Sequence, residues 1–151
     1  MEEIREGDWK ASAGEARFVD KLGEDQIDGL VALFRRETWS RSRTGESVRQ
    51  LLANSRIVAL IATDGEILAF ARYLSDGVCR AMIYDVIVAE KCRGQGNGKR
   101  LLEHLLKQPL LRNVERVELY CREQNISFYE KWGFSKVAAE TNLLRRSGSP
   151  G

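Results

Sequence analysis

Two Asp-Gly pairs limit what this chain can fold into more than any other feature. Asp64-Gly65 and Asp76-Gly77 separate three consecutive runs rich in aliphatic, β-branched and aromatic residues, at 56–62, 66–73 and 79–88. Glycine supplies the positive φ that a tight turn between paired strands requires, so each pair is a hairpin signal. Three strands joined this way make an antiparallel meander, around which the rest of the chain has to pack.

The flanks carry a different period. Residues 16–21 read as a short strand, and Ile27, Leu30, Val31, Leu33 and Phe34 are helically spaced. A second helix is predicted over 45–54, with Val48, Leu51 and Leu52 on one side. The loop between these helices holds Trp39, Arg41 and Arg43. Beyond the meander, 99–107 is an amphipathic helix stopped by Pro109, and 114–121 alternates as a strand. Residues 125–131 form a short helix ended by Gly133, and 134–144 read as a last strand or strand pair. The order β-α-α-β-β-β-α-β-α-β predicts an α/β domain with a mixed, mostly antiparallel sheet flanked by helices. The expected organisation is a flexible segment at 1–14, one domain over 15–145 and a flexible tail at 146–151.

Charge and composition exclude several classes. Lys plus Arg number 24 against 22 Asp plus Glu, a net charge of +2, which argues against nucleic acid or membrane as the main partner. The longest apolar run, 57–62, is far too short to span a bilayer. The opening Met1-Glu2-Glu3-Ile4-Arg5-Glu6 is unlike a secretory leader. Cys79, Cys92 and Cys121 form no Cys-x-x-Cys motif, and an odd count suits a reduced, cytoplasmic protein with no metal site. The single histidine, His104, falls between the leucines of its helix, on the expected solvent side. A zinc enzyme or a Ser-His-Asp hydrolase would hang on that one ring, and both are set aside.

The chemistry concentrates where the third strand of the meander ends. Tyr84, Asp85, Val86, Ile87 and Val88 lead through Arg93 into the alternate glycines Gly94, Gly96 and Gly98, and a helix starts there. Free N–H groups at a helix start, with no Cβ in the way, suit an anion such as phosphate. The Walker pattern fails because Gly98-Lys99 is followed by Arg100. The dinucleotide fingerprint fails because its third glycine falls on Lys99 or Leu101. The pattern that fits is R-x-x-G-x-G, read as Arg93, Gly96 and Gly98.

This segment resembles the acetyl-CoA pyrophosphate loop of the GNAT superfamily of N-acetyltransferases. Phe128-Tyr129-Glu130-Lys131-Trp132-Gly133-Phe134 is similar to the family's second signature, a Tyr followed four residues later by Gly-Phe. The resemblance covers roughly residues 16–144. It implies that Val86, Ile87 and Val88 offer backbone groups to the pantetheine arm of acetyl-CoA, the co-substrate. It implies that Arg93, Gly94, Gln95, Gly96, Asn97, Gly98 and Lys99 form the pyrophosphate loop, and that Tyr129 lies near the thioester sulfur. The cofactor would enter where the strands at 82–88 and 114–121 splay apart. Seven residues before Tyr129, where the family often has an Asn that contacts the cofactor, stands Arg122. Asn125, four residues before Tyr129, is either a displaced counterpart of that Asn or a helix cap.

The expected reaction is direct acetyl transfer to a primary amine of a small molecule, in a monomer or homodimer. An acyl-CoA-binding regulatory module without turnover and a protein N-acetyltransferase are the alternatives. An alkyl amine with a pKa of roughly 10 must lose a proton before it attacks, so the reaction needs a base. Asp85 and Glu118 are the candidates. Asp85 interrupts an otherwise apolar strand, where it is a base, a substrate contact or a paired structural aspartate. Tyr129 is the candidate general acid for the leaving thiolate. Tyr73 and Tyr84 either line the acceptor pocket or pack the core. Trp39, Arg41, Arg43 and Arg72 either recognise an acceptor carboxylate or phosphate, or form a solvated basic face.

Overall fold

In the computed structural model, residues 15–148 are described. The strands are β1 (Arg17–Val19), β2 (Arg56–Ile61), β3 (Ile67–Ser75), β4 (Arg80–Val88) and β5 (Arg116–Leu119). The helices are α1 (Ile27–Arg35), α2 (Gly45–Asn54), α3 (Asn97–Leu106), α4 (Pro109–Arg112) and α5 (Ile126–Glu130). The strands form one sheet in chain order, antiparallel except for the parallel pair β4–β5. The chain divides into two compact units, one ending at Leu119 and the other beginning at Tyr120.

Both hairpins form at the Asp-Gly pairs, with φ of 90° at Gly65 and 76° at Gly77. Asp76 does more than turn the chain. Its Oδ1 accepts from the N–H groups of Val78, Cys79 and Arg80, which stabilises the charged form and lowers its pKa.

Side-chain alternation gives the sheet two buried faces. Ile57, Ala59, Ile61, Phe70 and Ile87 join Leu30, Phe34 and Val48 of α1 and α2 in one core cluster. On β2 and β3, Val58, Leu60 and Leu68 alternate with these residues, and α3 packs on the same two strands through Leu101, Leu102 and Leu105. Burying a leucine or phenylalanine side chain contributes roughly 1.5–3 kcal/mol, so these two layers carry the first unit.

Three expectations need correction, and the one for Pro109 is extended. No strand forms over 134–144; Thr141 N–H donates to Ala138 O in a turn, and Val137, Leu143 and Leu144 are exposed. Ala138, Ala139, Glu140 and Asn142 favour a strand weakly, and no edge pairs with this segment among the described residues. Pro109 does more than stop a helix; it opens α4 from its first position, where a missing N–H costs nothing. His104 is half-buried rather than solvent-facing, stacked on Phe18 at 4.2 Å between ring centroids. Desolvation, then the nearby Lys107 charge, lowers its pKa. Asn125 stands at the N-cap position of α5 but its side chain makes no cap bond. The expected segment 1–14, and residues 149–151 of the expected tail, lie outside the described residues.

Candidate active site

β4 carries the centre of the candidate site. Phe70 pairs with Ile87 while Arg72 pairs with Tyr84, so β4 holds one residue more than β3 across that interval. The extra residue is a β-bulge, a device that re-aims side chains. Asp85 sits in it at φ 56°, a left-handed conformation that is uncommon for a residue with a Cβ. Pairing with β5 ends at Ile83 opposite Leu119, and β4 runs on from Tyr84 to Val88 with no strand on that side among the described residues. Val86 and Val88 are half-buried there, and Ile87 points into the core.

The Asp85 carboxylate accepts from two arginines. Arg43 donates from Nη1 to Oδ2 at 2.7 Å and from Nη2 to Oδ1 at 3.0 Å. Arg72 donates from Nε to Oδ2 at 2.5 Å. Three of the carboxylate's roughly four lone-pair sites are taken by two guanidiniums, which fix its position. The geometry therefore favours an anchor over a general base. Local chemistry puts Arg43 in place. Ser40, buried, donates from Oγ to the Phe34 carbonyl at 2.7 Å. Thr44 and Ser47 form a reciprocal capping box at the start of α2. Arg43 is held between these two fixed points, its guanidinium 4.5 Å over the Phe34 ring. Arg72 lies 4.6 Å over Tyr84. The solvated-face reading thus fails for Arg43 and Arg72 and holds for the exposed Arg41. Trp39 is half exposed, 5.7 Å from the Arg43 guanidinium. Tyr73 is a core residue, and burial raises its pKa. Glu118 accepts from Arg80 at 2.8 Å.

Two side chains, exposed Arg93 and buried Asn97, brace the loop after β4. Arg93 donates from Nε to the Val88 carbonyl at 3.0 Å and from Nη2 to Glu37 at 2.7 Å, so its side chain closes the loop. Asn97, 2% exposed, donates to the Cys92 carbonyl and ties the start of α3 to the start of the loop. Between these braces Gly94 and Gly96 adopt φ of 75° and 81°. A Cβ at either would meet nothing within 4 Å, so the space above the loop is open. The first backbone bond of α3 runs from the Arg100 N–H to the Gly96 carbonyl. The N–H groups of Asn97, Gly98 and Lys99 are left without an intrahelical acceptor. Gln95 Oε1 is buried and has no hydrogen-bond partner among the described residues. The N–H donors and the open space fit a pyrophosphate-bearing ligand.

Tyr129 belongs to the second unit. It is buried on α5, edge-on to Phe128 and Phe134. Desolvation, then Cys121, pushes its phenol up to about 12. Gly133, at φ 84°, ends the turn that follows.

Sequence reasoning missed Glu37 and Ser40. Glu37 lies 56 positions from the arginine it holds, and no local period marks such a pair.

The family model described as the acetyltransferase (GNAT) family matches residues 24–134. Serotonin N-acetyltransferase 2, chloroplastic, from Oryza sativa subsp. japonica is 32% identical over 113 residues, covering 72% of this chain and 56% of that protein. Histone acetyltransferase TAP1 from Glycine max is 32% identical over 123 residues, covering 74% and 53%. This chain thus spans little more than half the length of these relatives. A solved structure from Xanthomonas campestris pv. campestris, assigned to the GNAT family, superposes with a TM-score of 0.75 at 24% identity, covering 88% of this chain and 93% of that one. That likeness shows the fold. The mixed five-stranded sheet, the glycine loop at the start of α3 and the family match together place this chain in the GNAT acetyltransferase family.

Proposed function

We propose that the chain transfers an acetyl group from acetyl-CoA directly to a primary amine of a small molecule. One observation carries this reading: the braced loop before α3, with free N–H donors at Asn97, Gly98 and Lys99 and open space above Gly94 and Gly96. In this reading that loop holds the pyrophosphate, and the free edge of β4 at Val86–Val88 offers backbone groups to the pantetheine arm.

The chemistry then runs as follows. The neutral amine attacks the thioester carbonyl carbon, a backbone N–H stabilises the oxyanion, and the carbon–sulfur bond breaks. The amine gives up a proton and the thiolate takes one. Tyr129 is the proposed hydrogen-bond donor to the leaving sulfur. A phenol at about 12 stays protonated throughout the working range. Complete transfer to a thiolate with a pKa of roughly 8.5 is uphill, so its contribution comes as charge develops. The amine proton leaves through water in this scheme, because Asp85 is committed to two guanidiniums. Three free cysteines support a reducing, cytoplasmic setting.

The soybean relative named a histone acetyltransferase favours a protein amine as the second reading. Calorimetry with acetyl-CoA, followed by coenzyme A release with a panel of small amines and a lysine peptide, tests both. Release with small amines is the expected result. Release with the peptide alone selects the second reading, binding without release selects a regulatory module, and absence of binding ends the proposal.

A further inference from the structure

The acceptor side carries a charge that the acetyltransferase reading does not use. Arg43 and Arg72 share one carboxylate, Asp85, so two positive groups face one negative group. The excess charge is withdrawn from water: the Arg43 and Arg72 side chains are 21% and 12% exposed, and that of Asp85 is 5% exposed. A cation drawn out of water without a counter-charge is costly, and an arriving anion relieves that cost.

Donor capacity is unspent as well. Arg72 gives Nε to Asp85, and neither of its Nη groups makes a hydrogen bond among the described residues. Its plane is already set by Tyr84 beneath it, so little side-chain freedom is lost when a ligand binds. Both arginines line one groove of about 420 Å³ between α2 and β3. Ser47, Gln50 and Asn54 supply polar wall, Leu74 supplies apolar wall, and none of the described residues that line the groove is a carboxylate. The Asp85 that anchors the arginines immediately precedes Val86, so the groove adjoins the strand assigned to the cofactor.

We infer that this groove is an acceptor subsite for an anionic group, a carboxylate or a phosphate carried by the amine substrate. Arg72 makes the contact through its Nη groups, and Asp85 with Arg43 positions it. This inference rests on the acetyltransferase reading and names the class of amine accepted.

Three matched acceptors test it with the full chain and acetyl-CoA: n-butylamine, 4-aminobutyrate and 3-aminopropylphosphonate. At least one anionic amine should exceed butylamine in kcat/KM by about tenfold or more, the scale of one charge-assisted hydrogen bond. The better of the two identifies carboxylate or phosphate as the preferred group. In Arg72→Gln that ratio should fall to within about threefold, and Arg72→Lys should restore part of it. The ratio is taken within each protein, so a general loss of fold or rate cancels. Equal kcat/KM for all three amines in the parent overturns the inference and leaves the acetyltransferase reading standing. If none is acetylated, that reading fails for small amines, and the subsite is read directly. Inorganic phosphate is titrated by calorimetry into protein saturated with coenzyme A. Saturable binding that Arg72→Gln loses upholds the subsite, and no binding overturns it.

Discussion

Arg43 and Asp85, 42 positions apart in the chain, meet in a two-point ion pair that fastens the α1–α2 loop to the bulge of β4. Both ends are withdrawn from solvent, with the Asp85 side chain 5% exposed. The pair therefore joins the loop proposed to face an acceptor to the strand proposed to carry the cofactor.

Removing one partner of a buried pair strands the other. Breaking such a pair costs roughly 3–5 kcal/mol, and the partial exposure of Arg43 moves the expectation to the lower end, about 3 kcal/mol. Asp85→Asn should lose about that much stability in urea unfolding, and KM for the amine should rise more than KM for acetyl-CoA. A loss below about 0.5 kcal/mol, the range of ordinary surface changes, would show that the pair is not a structural anchor.

Gly96 and Gly65 separate backbone strain from ligand contact. Both have positive φ, 81° and 90°, and neither has an atom within 4 Å of a built Cβ. Alanine at either should cost about 1–2 kcal/mol of stability, the penalty of a left-handed L-residue. Gly96→Ala alone should weaken acetyl-CoA binding in calorimetry. Equal affinity in the two variants would remove Gly96 from the pyrophosphate loop.

The Tyr129 phenol sets a pH window. Its folded pKa of about 12 lies above an ordinary value of 10.0. Below pH 10 both folded and unfolded chains keep the proton, so the contribution is complete. As pH rises from about 10 toward 12 the unfolded chain releases a proton that the native chain retains, and up to about 3 kcal/mol is lost. Tyr129→Phe should lose less stability than the parent between pH 9 and pH 11.5 in urea titrations. An equal loss in both proteins would show that the phenol is not desolvated.

The same substitution bears on catalysis. General acid–base groups contribute typically 10²–10⁴-fold, so kcat of Tyr129→Phe should drop by about that much once chemistry is rate-limiting. A rate within about threefold of the parent would assign the proton to water or to the coenzyme.

The thiols should divide in reactivity. Cys79 and Cys121 are exposed, whereas Cys92 is fully buried and desolvation pushes its thiol up to about 11. Alkylation at pH 8 should modify two thiols in the native protein and all three after denaturation. Rapid labelling of Cys92 in native protein would mean that the loop before α3 opens readily.

Much of the fold was legible because its signals are local. The Asp-Gly turns mark both hairpins, and the spacing of Val48, Leu51 and Leu52 marks α2, observed at Gly45–Asn54. The glycines ahead of α3 likewise announce themselves, since positive φ is a property of single residues. What stayed hidden depends on distance through space. Residues 134–144 read as a strand, yet a strand exists only where an edge pairs with it, and none does among the described residues. His104 reads as solvent-facing on its helix until Phe18, 86 positions earlier, stacks on it. The same holds for Asp85. One unpaired acid in an apolar strand marked it as unusual, and nothing nearby in sequence named its partners. Arg43 and Arg72 reach it because a bulge re-aims its carboxylate and a capped loop brings a guanidinium to the same point. Turn chemistry and period are written residue by residue, whereas the pairing of charges is settled only when the layers close.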